Sequence, residues 1–224
     1  GATALALLLG VPLALLLART KFPGRAVTRS FYLFPLLIPP YIQAIAWIHL
    51  LGEQGGLSRL WMDLFSLDRP PFTLYGMGGA ILVLALAYYP LVTLFAISGL
   101  ASLDRELEEA AWLSFSPWRA LWRIILPLVR PHLLSGAAFV FLLSLSEYGV
   151  PSLLRVQTYP VEIFVQFSAF YNEGTATALC LPLVAVALAT IILTNLQTTT
   201  CWTQSGRFSR LRPCRIPTVE SHYI

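Results

Sequence analysis

Long apolar runs alternate with shorter polar segments along this chain. Each run is close to twenty residues long and nearly free of charge, which is the length that a helix needs to cross about 30 Å of hydrocarbon. The pattern therefore predicts an all-α protein, a polytopic bundle of transmembrane helices. The predicted membrane domain covers residues 1–197, and its five predicted spans are 1–18, 30–51, 77–98, 132–150 and 175–196.

Prolines interrupt several of these runs. Pro39 and Pro40 lie in the second run, Pro90 in the third and Pro182 in the fifth. A proline removes a backbone donor and kinks or breaks a helix. Membrane helices tolerate this where neighbouring helices or water satisfy the freed carbonyls, so the prolines favour a packed bundle over a single anchor.

The composition and the placement of the basic residues agree with this prediction. Only 12% of the residues are charged, whereas a soluble domain has about a quarter. Lys and Arg are retained on the cytoplasmic side of membranes, and 12 of the 15 basic residues lie in 19–29, 99–131 and the tail after residue 197. Five crossings with the first end outside place all three segments in the cytoplasm. The net charge of +4 thus reflects topology, and no nucleic-acid partner is predicted.

The two ends of the chain and the cysteines add little chemistry. The chain starts on Gly1 with no basic segment before the first run, so it lacks the pattern of a secretory signal, and we expect it to be a piece of a longer protein. Residues 198–224 show no sustained periodicity and are predicted to form a poorly ordered cytoplasmic tail. Cys180, Cys201 and Cys214 lack metal-ligand spacing and are interpreted as unpaired thiols. No metal, cofactor or catalytic residue is predicted.

A charged and aromatic loop at 101–131 separates the third and fourth spans. Leu107, Ala110 and Ser114 recur at helical spacing, and Ser116-Pro117 has the form of an N-cap followed by proline at the first helical position. The pattern predicts two short helices, the second ended by Pro127 and Pro131 before the next span. One interpretation is an interfacial helix lying on the lipid headgroups. The other is a docking element for a cytoplasmic protein, in which small alanines permit close approach.

The residues of this loop resemble a known motif. Glu109-Ala110-Ala111, followed by Ser116-Pro117-Trp118-Arg119 and Leu126-Pro127, is similar to the EAA loop of binding-protein-dependent ABC transporter permeases. Either Ser114 or Phe115 occupies the position of the glycine in that pattern, depending on the end from which the loop is counted. The stretch from Ser146 to Leu154, SEYGVPSLL, resembles permeases for ferric iron and, less closely, for polyamines.

The resemblance implies a division of labour among several proteins. It implies a multi-pass permease in the inner (plasma) membrane of a bacterium, in contact with membrane lipid and with a second permease half or a homodimer partner. It also implies a periplasmic or extracellular substrate-binding protein. A separate ATPase would bind the loop, and the chain itself would not be an enzyme. The expected substrate is ferric iron, and iron permeases often carry two such halves fused in one chain. The residues expected to couple to the ATPase are Glu109, Ala110, Ala111, Ser114, Phe115, Pro117, Leu126 and Pro127.

One observation from the residues supports a separate ATPase independently. A phosphate-binding P-loop requires Gly-Lys followed by Ser or Thr. The only lysine of the chain is Lys21, between Thr20 and Phe22. The chain therefore does not hydrolyse ATP by that route.

Glu147 and Tyr148 are the candidates for the transport pathway. An ionisable group inside a span is costly and is a functional hypothesis by default, so one interpretation is that Glu147 faces the pathway and attracts a cation. The alternative is that Glu147 lies at the outer interface, hydrated or paired.

Other functions are compatible with the same composition. The permease could carry polyamine, thiamine or another small solute. An ion-coupled secondary carrier is favoured only by its broken helices, and such a carrier would need no ATPase. An intramembrane enzyme would need a nucleophile beside a base, and no Ser or Cys partner is evident for His49, His132 or His222.

The predicted topology can be tested by labelling. A cysteine at Ser58 or Gln157 should react with a membrane-impermeant thiol reagent added outside the cell, whereas one at Arg105 should not, because the charge distribution places residues 99–131 inside. The opposite labelling pattern would reverse the orientation and remove the loop from the cytoplasm.

Overall fold

The computed structural model describes residues 1–20, 23–52, 55–65, 73–103, 116–171 and 173–209, with only the helical course described for 197–209. Every regular element in these residues is helical, which confirms the all-α prediction. The helices before the loop are α1 (Ala2–Arg19), α2 (Arg25–Phe31), α3 (Phe34–Leu37), α4 (Pro40–Leu51), α5 (Gly56–Phe65) and α6 (Met77–Ala101). Those after it are α7 (Pro117–Ala120), a π turn (Leu121–Ile125), α8 (Leu126–Ser146), α9 (Gly149–Leu153), α10 (Tyr159–Ser168) and α11 (Glu173–Ser209).

Four helical segments of the described chain are long and apolar enough to cross a membrane. A fifth candidate is a bent pair, Arg25–Leu37 followed by Pro40–Phe65, whose halves meet at 102°. This pair contains the second predicted span with its prolines. The four uninterrupted segments are Ala2–Arg19, Met77–Ala101, Leu121–Ser146 and Glu173–Leu196.

The fourth span differs from its prediction at both ends. Pro127 and Pro131 were expected to end a short helix before a span at 132–150, but the helix runs without a break over Leu121–Ser146, so that expectation is wrong. Pro127 lies in the first turn after the π turn, where the hydrogen bonding changes from i+5 to i+4, so its missing N–H does not break the continuous helix. The preceding π turn accommodates this start, since the N–H of Leu126 donates to the carbonyl of Leu121, five residues back. The helix ends at Ser146, which leaves Glu147 outside it.

Helix α6 is the centre of the bundle, and α1 and α8 pack along it. Its buried positions lie on all sides, as expected for a helix surrounded by protein. Small residues allow the close approach: a Cβ at Gly10 would lie 2.8 Å from the Val92 Cβ and 2.9 Å from the Tyr89 oxygen. The Thr93 hydroxyl spans the same contact and donates to the Gly10 carbonyl at 3.2 Å. Small residues at helix contacts are what membrane packing favours, because lipid supplies little hydrophobic drive.

The break in the second span is stabilised by one buried side chain. Chain direction changes between Leu37 and Pro40, where the prolines cannot donate backbone hydrogen bonds. The amide nitrogen of Gln43 donates to the carbonyl of Pro35 at 2.6 Å and to that of Ile38 at 2.9 Å. Gln43 therefore satisfies the carbonyls that the break frees.

Helix α11 packs loosely on the rest of the described chain. Only 6% of its most apolar 18-residue stretch is buried against the rest of the protein, compared with 61% for the same length of α6. Its exposed face is apolar, which suits lipid or another membrane helix. The helix continues to Ser209, so residues 198–209 of the predicted tail are helical, and residues 210–224 lie outside the described chain.

The structure also refines the choice of topology reporter. Ser58 is only 5% exposed, and a cysteine there would react slowly whichever side it occupied. Gln157 is exposed and is the better outer reporter, while Arg105 lies outside the described residues.

The close packing of α1 on α6 makes a prediction. Gly10→Ala should destabilise the bundle by about 1–3 kcal/mol, because its Cβ has no room beside Val92 and the Tyr89 carbonyl. The matched control is Gly78→Ala in the first turn of α6, where an added Cβ meets nothing within 4 Å. Thermal unfolding in detergent should show a lower midpoint for the first variant only, and equal midpoints would contradict the packing argument.

Candidate transport pathway and coupling segment

Glu147 connects the end of α8 to the start of α9. Its carboxylate oxygen Oε1 accepts hydrogen bonds from the backbone N–H groups of Gly149 at 3.1 Å and Val150 at 3.4 Å. The first N–H groups of a helix have no partner within the helix. Glu147 is the residue directly after α8, and its side chain caps the N-terminus of α9.

Two tyrosines from other helices lie beside this turn. The Tyr88 side chain on α6 lies close to the Glu147 carboxylate. Tyr41, in the first turn of α4, lies so close to Gly149 that a Cβ on this glycine would be 2.9 Å from the tyrosine ring. We call Glu147, Gly149, Val150, Tyr88 and Tyr41 the Glu147 cluster. It joins α4, α6, α8 and α9.

The position of the cluster can be measured along α6. Glu147 lines a cavity with Met77, the first residue of α6, and with Leu84, seven residues later, and the Tyr88 side chain lies near it. At 1.5 Å per residue, Leu84 and Tyr88 are roughly 10–16 Å from the Met77 end of the helix, which we call the outer end because the predicted topology places it outside. The depth of Glu147 in the membrane, including the alternative of an interfacial position, stays a prediction.

A cavity of about 240 Å³ adjoins the cluster on the outer side. Glu147, Leu84 and Pro151 line it, together with the first residues of α1. Ser144 and Thr158 also line it, and their hydroxyl oxygens are buried without a hydrogen-bond partner in the structure. Buried hydroxyls of this kind are usually satisfied by water or a polar ligand. The cavity therefore offers polar groups to a small solute or to water.

Tyr148 does not share this environment. Its ring stacks on Phe164 of α10, with 4.4 Å between the ring centroids, and 40% of the residue is exposed. It is absent from the residues that line the cavity. The structure therefore separates the two pathway candidates, and a direct role of either in transport stays a prediction.

Most of the predicted coupling residues cannot be placed. Glu109, Ala110, Ala111, Ser114 and Phe115 lie outside the described residues. The remaining coupling candidates mark the boundaries of helices: Pro117 begins α7, and Leu126 and Pro127 begin α8.

The end of the loop is firmly attached to the bundle. Ile125 and Val129 are buried against Leu100 at the end of α6. At the same level, the Arg19 guanidinium donates to the Leu100 carbonyl at 3.0 Å. Movement of the loop should therefore be transmitted to the inner ends of α1, α6 and α8.

Comparison with known proteins identifies the family. Residues 10–199 match the family described as binding-protein-dependent transport system inner membrane component. The chain belongs to this family. Its members are permease subunits of transporters, so the chain is a transport subunit and not an enzyme.

Several relatives are named for what they transport. The chain is 29% identical to the molybdenum transport system permease protein ModB of Escherichia coli, over 83% of this chain and 82% of the relative. It is 32% identical to ModB of Mycobacterium tuberculosis, over 85% and 72%. It is 30% identical to a putative 2-aminoethylphosphonate permease, PhnU, of Salmonella typhimurium, over 86% and 66%. These relatives support the permease prediction and do not support the prediction of iron.

Solved structures show the same fold. The inward-facing MetNI methionine ABC transporter has a chain of similar structure, with a TM-score of 0.68 at 16% identity and 89% coverage of both chains. A bacterial alginate ABC transporter in complex with a periplasmic protein gives 0.67 at 19% identity, covering 88% of this chain and 74% of that one. At such identities the likeness shows the fold alone.

Sequence reasoning found Glu147 but missed its partners. The sequence does not mark Tyr88, Tyr41 or Gly149 as its neighbours, because these contacts depend on how three helices meet. The spacing of Glu147 and Gly149 does carry a local pattern, a carboxylate two residues before a free backbone N–H, which is the geometry of a capping side chain.

Proposed function

We propose that the chain is the membrane subunit of an ATP-driven importer for a small oxyanion, located in a bacterial plasma membrane. The observation that carries this proposal is the match of the whole membrane region to binding-protein-dependent permeases, with relatives named for molybdenum and for an aminophosphonate. Ferric iron has no such support. A permease for another small solute remains the second candidate.

The partners follow from the family and from the chain itself. A permease of this kind works with a substrate-binding protein outside and an ATPase inside, and the chain has no P-loop of its own. The exposed apolar face of α11 supports a second permease subunit or lipid as its neighbour. The loop at 101–131 is the proposed docking site of the ATPase.

The substrate can be tested by uptake. Cells that lack their own molybdate importer and express this chain with its ATPase and binding protein should accumulate labelled molybdate in an ATP-dependent manner. Excess unlabelled molybdate or aminoethylphosphonate should be compared as competitors, because an oxyanion site should discriminate between them. ATP-dependent uptake of ferric iron, with none of either oxyanion, would contradict the proposal.

The docking role of the loop gives a separate prediction. A docked helix packs at near-interior density, and added bulk costs about 1–3 kcal/mol. Since 1.4 kcal/mol is about a factor of ten in affinity, Ala110→Trp should weaken ATPase association about tenfold or more. The interfacial interpretation predicts no loss, because tryptophan suits the headgroup region.

The measurement is co-purification of the ATPase at matched membrane levels of the permease. Ala26→Trp is the matched control, since Ala26 is exposed in α2 and lies outside the loop at 101–131. Equal retention of the ATPase by wild type and both variants would exclude docking through Ala110.

A further inference from the structure

The charge of Glu147 has no basic partner among the contacts of the described chain. Its carboxylate instead accepts hydrogen bonds from two backbone N–H groups, and the Tyr88 side chain lies beside it. Within the outer half of a membrane bundle, unpaired backbone groups are costly, because no lipid atom can replace their hydrogen bonds. These contacts assign the carboxylate a use that does not involve a solute.

The segment that Glu147 holds is also fixed at its other end. The N–H of Gly76, just before α6, donates to the Leu154 carbonyl at 2.9 Å. The Arg155 guanidinium lies over the Tyr75 ring, 5.1 Å from its centroid. Between these ends, Val150 and Leu154 are completely buried. Residues 147–156 are therefore held by contacts at both ends, between α4 and α6.

We propose that Glu147 is a positioning residue of the transport pathway: it holds α9 against α6 and α4 beside the outer cavity, and it does not bind the transported solute. This inference rests on the proposed function for its meaning in transport. Its structural content can be measured without any substrate.

The argument distinguishes a hydrogen-bond acceptor from a charge. Glutamine keeps a carbonyl oxygen at nearly the same position and can accept the bonds from Gly149 and Val150, whereas alanine cannot. If the Glu147 carboxylate bound a cationic solute, it would need its negative charge, and substitution by glutamine or by alanine would then be equally harmful to transport. The two substitutions separate the two roles.

The reporter is Val150→Cys, in a chain whose three native cysteines are replaced by serine. Val150 is completely buried and follows the cap directly, and cysteine is close to valine in size. In membranes, a small thiol reagent should label this cysteine slowly in the otherwise unchanged protein. Glu147→Ala should raise the rate roughly tenfold or more, because two backbone donors lose their acceptor and the segment opens more often.

Glu147→Gln should leave the labelling rate within about threefold of the parent and should keep most of the ATP-dependent uptake. Tyr88→Phe, which removes only the hydroxyl, should raise the rate less than Glu147→Ala does. The matched control is Glu173→Ala, which removes an exposed carboxylate at the start of α11 and should change nothing.

Two outcomes would overturn the proposal. The first is a labelling rate that Glu147→Ala leaves unchanged. The second is an uptake that Glu147→Gln abolishes while labelling stays at the parent rate, which would return the carboxylate to a role in solute binding. If Glu147→Ala fails to reach the membrane, Glu147→Gln and Tyr88→Phe still decide between the roles. A failure of the proposed function would give a different result. The parent protein would then take up no substrate, while the labelling rates of the variants would still differ as described.

Discussion

The absence of water from the hydrocarbon region is the constraint on which this structure depends. A backbone group inside a bilayer must find its partner within the protein. The bundle contains breaks, and it satisfies two of them with a side chain of the matching kind. Gln43 donates to the carbonyls freed at Pro35 and Ile38, while Glu147 accepts from the N–H groups exposed at Gly149 and Val150.

The breaks and the continuous helix have different roles in this arrangement. Helix α6 runs unbroken over Met77–Ala101 with Pro90 inside it, and it makes close contacts with α1 and α8 through glycines. The broken segments pack around its outer half, where α4 and α9 meet. The interrupted segments are nonetheless held in place, because Val150 and Leu154 are completely buried and Gln43 bonds to both sides of the break before α4.

Much of this fold could be predicted from the sequence, because hydrophobic length and arginine placement are local properties. The apolar runs at 1–18 and 77–98 lie within single helices of the structure. The start of the fourth helix could not be predicted from its prolines. Pro127 would end a helix in its interior but is harmless in a first turn, and which of these applies depends on the π turn that precedes it.

The candidate site also combines a feature that the sequence shows with contacts that only the packed structure shows. Glu147 is conspicuous in the sequence because charge is rare in an apolar run, and this rarity predicts importance without identifying the role. The role depends on Tyr88 and Tyr41, which lie 59 and 106 residues earlier in the chain and approach only when the helices pack. The coupling residues from Glu109 to Phe115 have no described structure, so the motif is their only support.

The continuous helix Leu121–Ser146 connects the two regions to which function is assigned. Its inner end is buried against Leu100 of α6 through Ile125 and Val129, so a displacement there also acts on α6. Its outer end adjoins Glu147 and a cavity of about 240 Å³. Under the proposed function, an ATPase that moves the loop would displace the inner end of a continuous helix, and the residue that follows its opposite end caps α9.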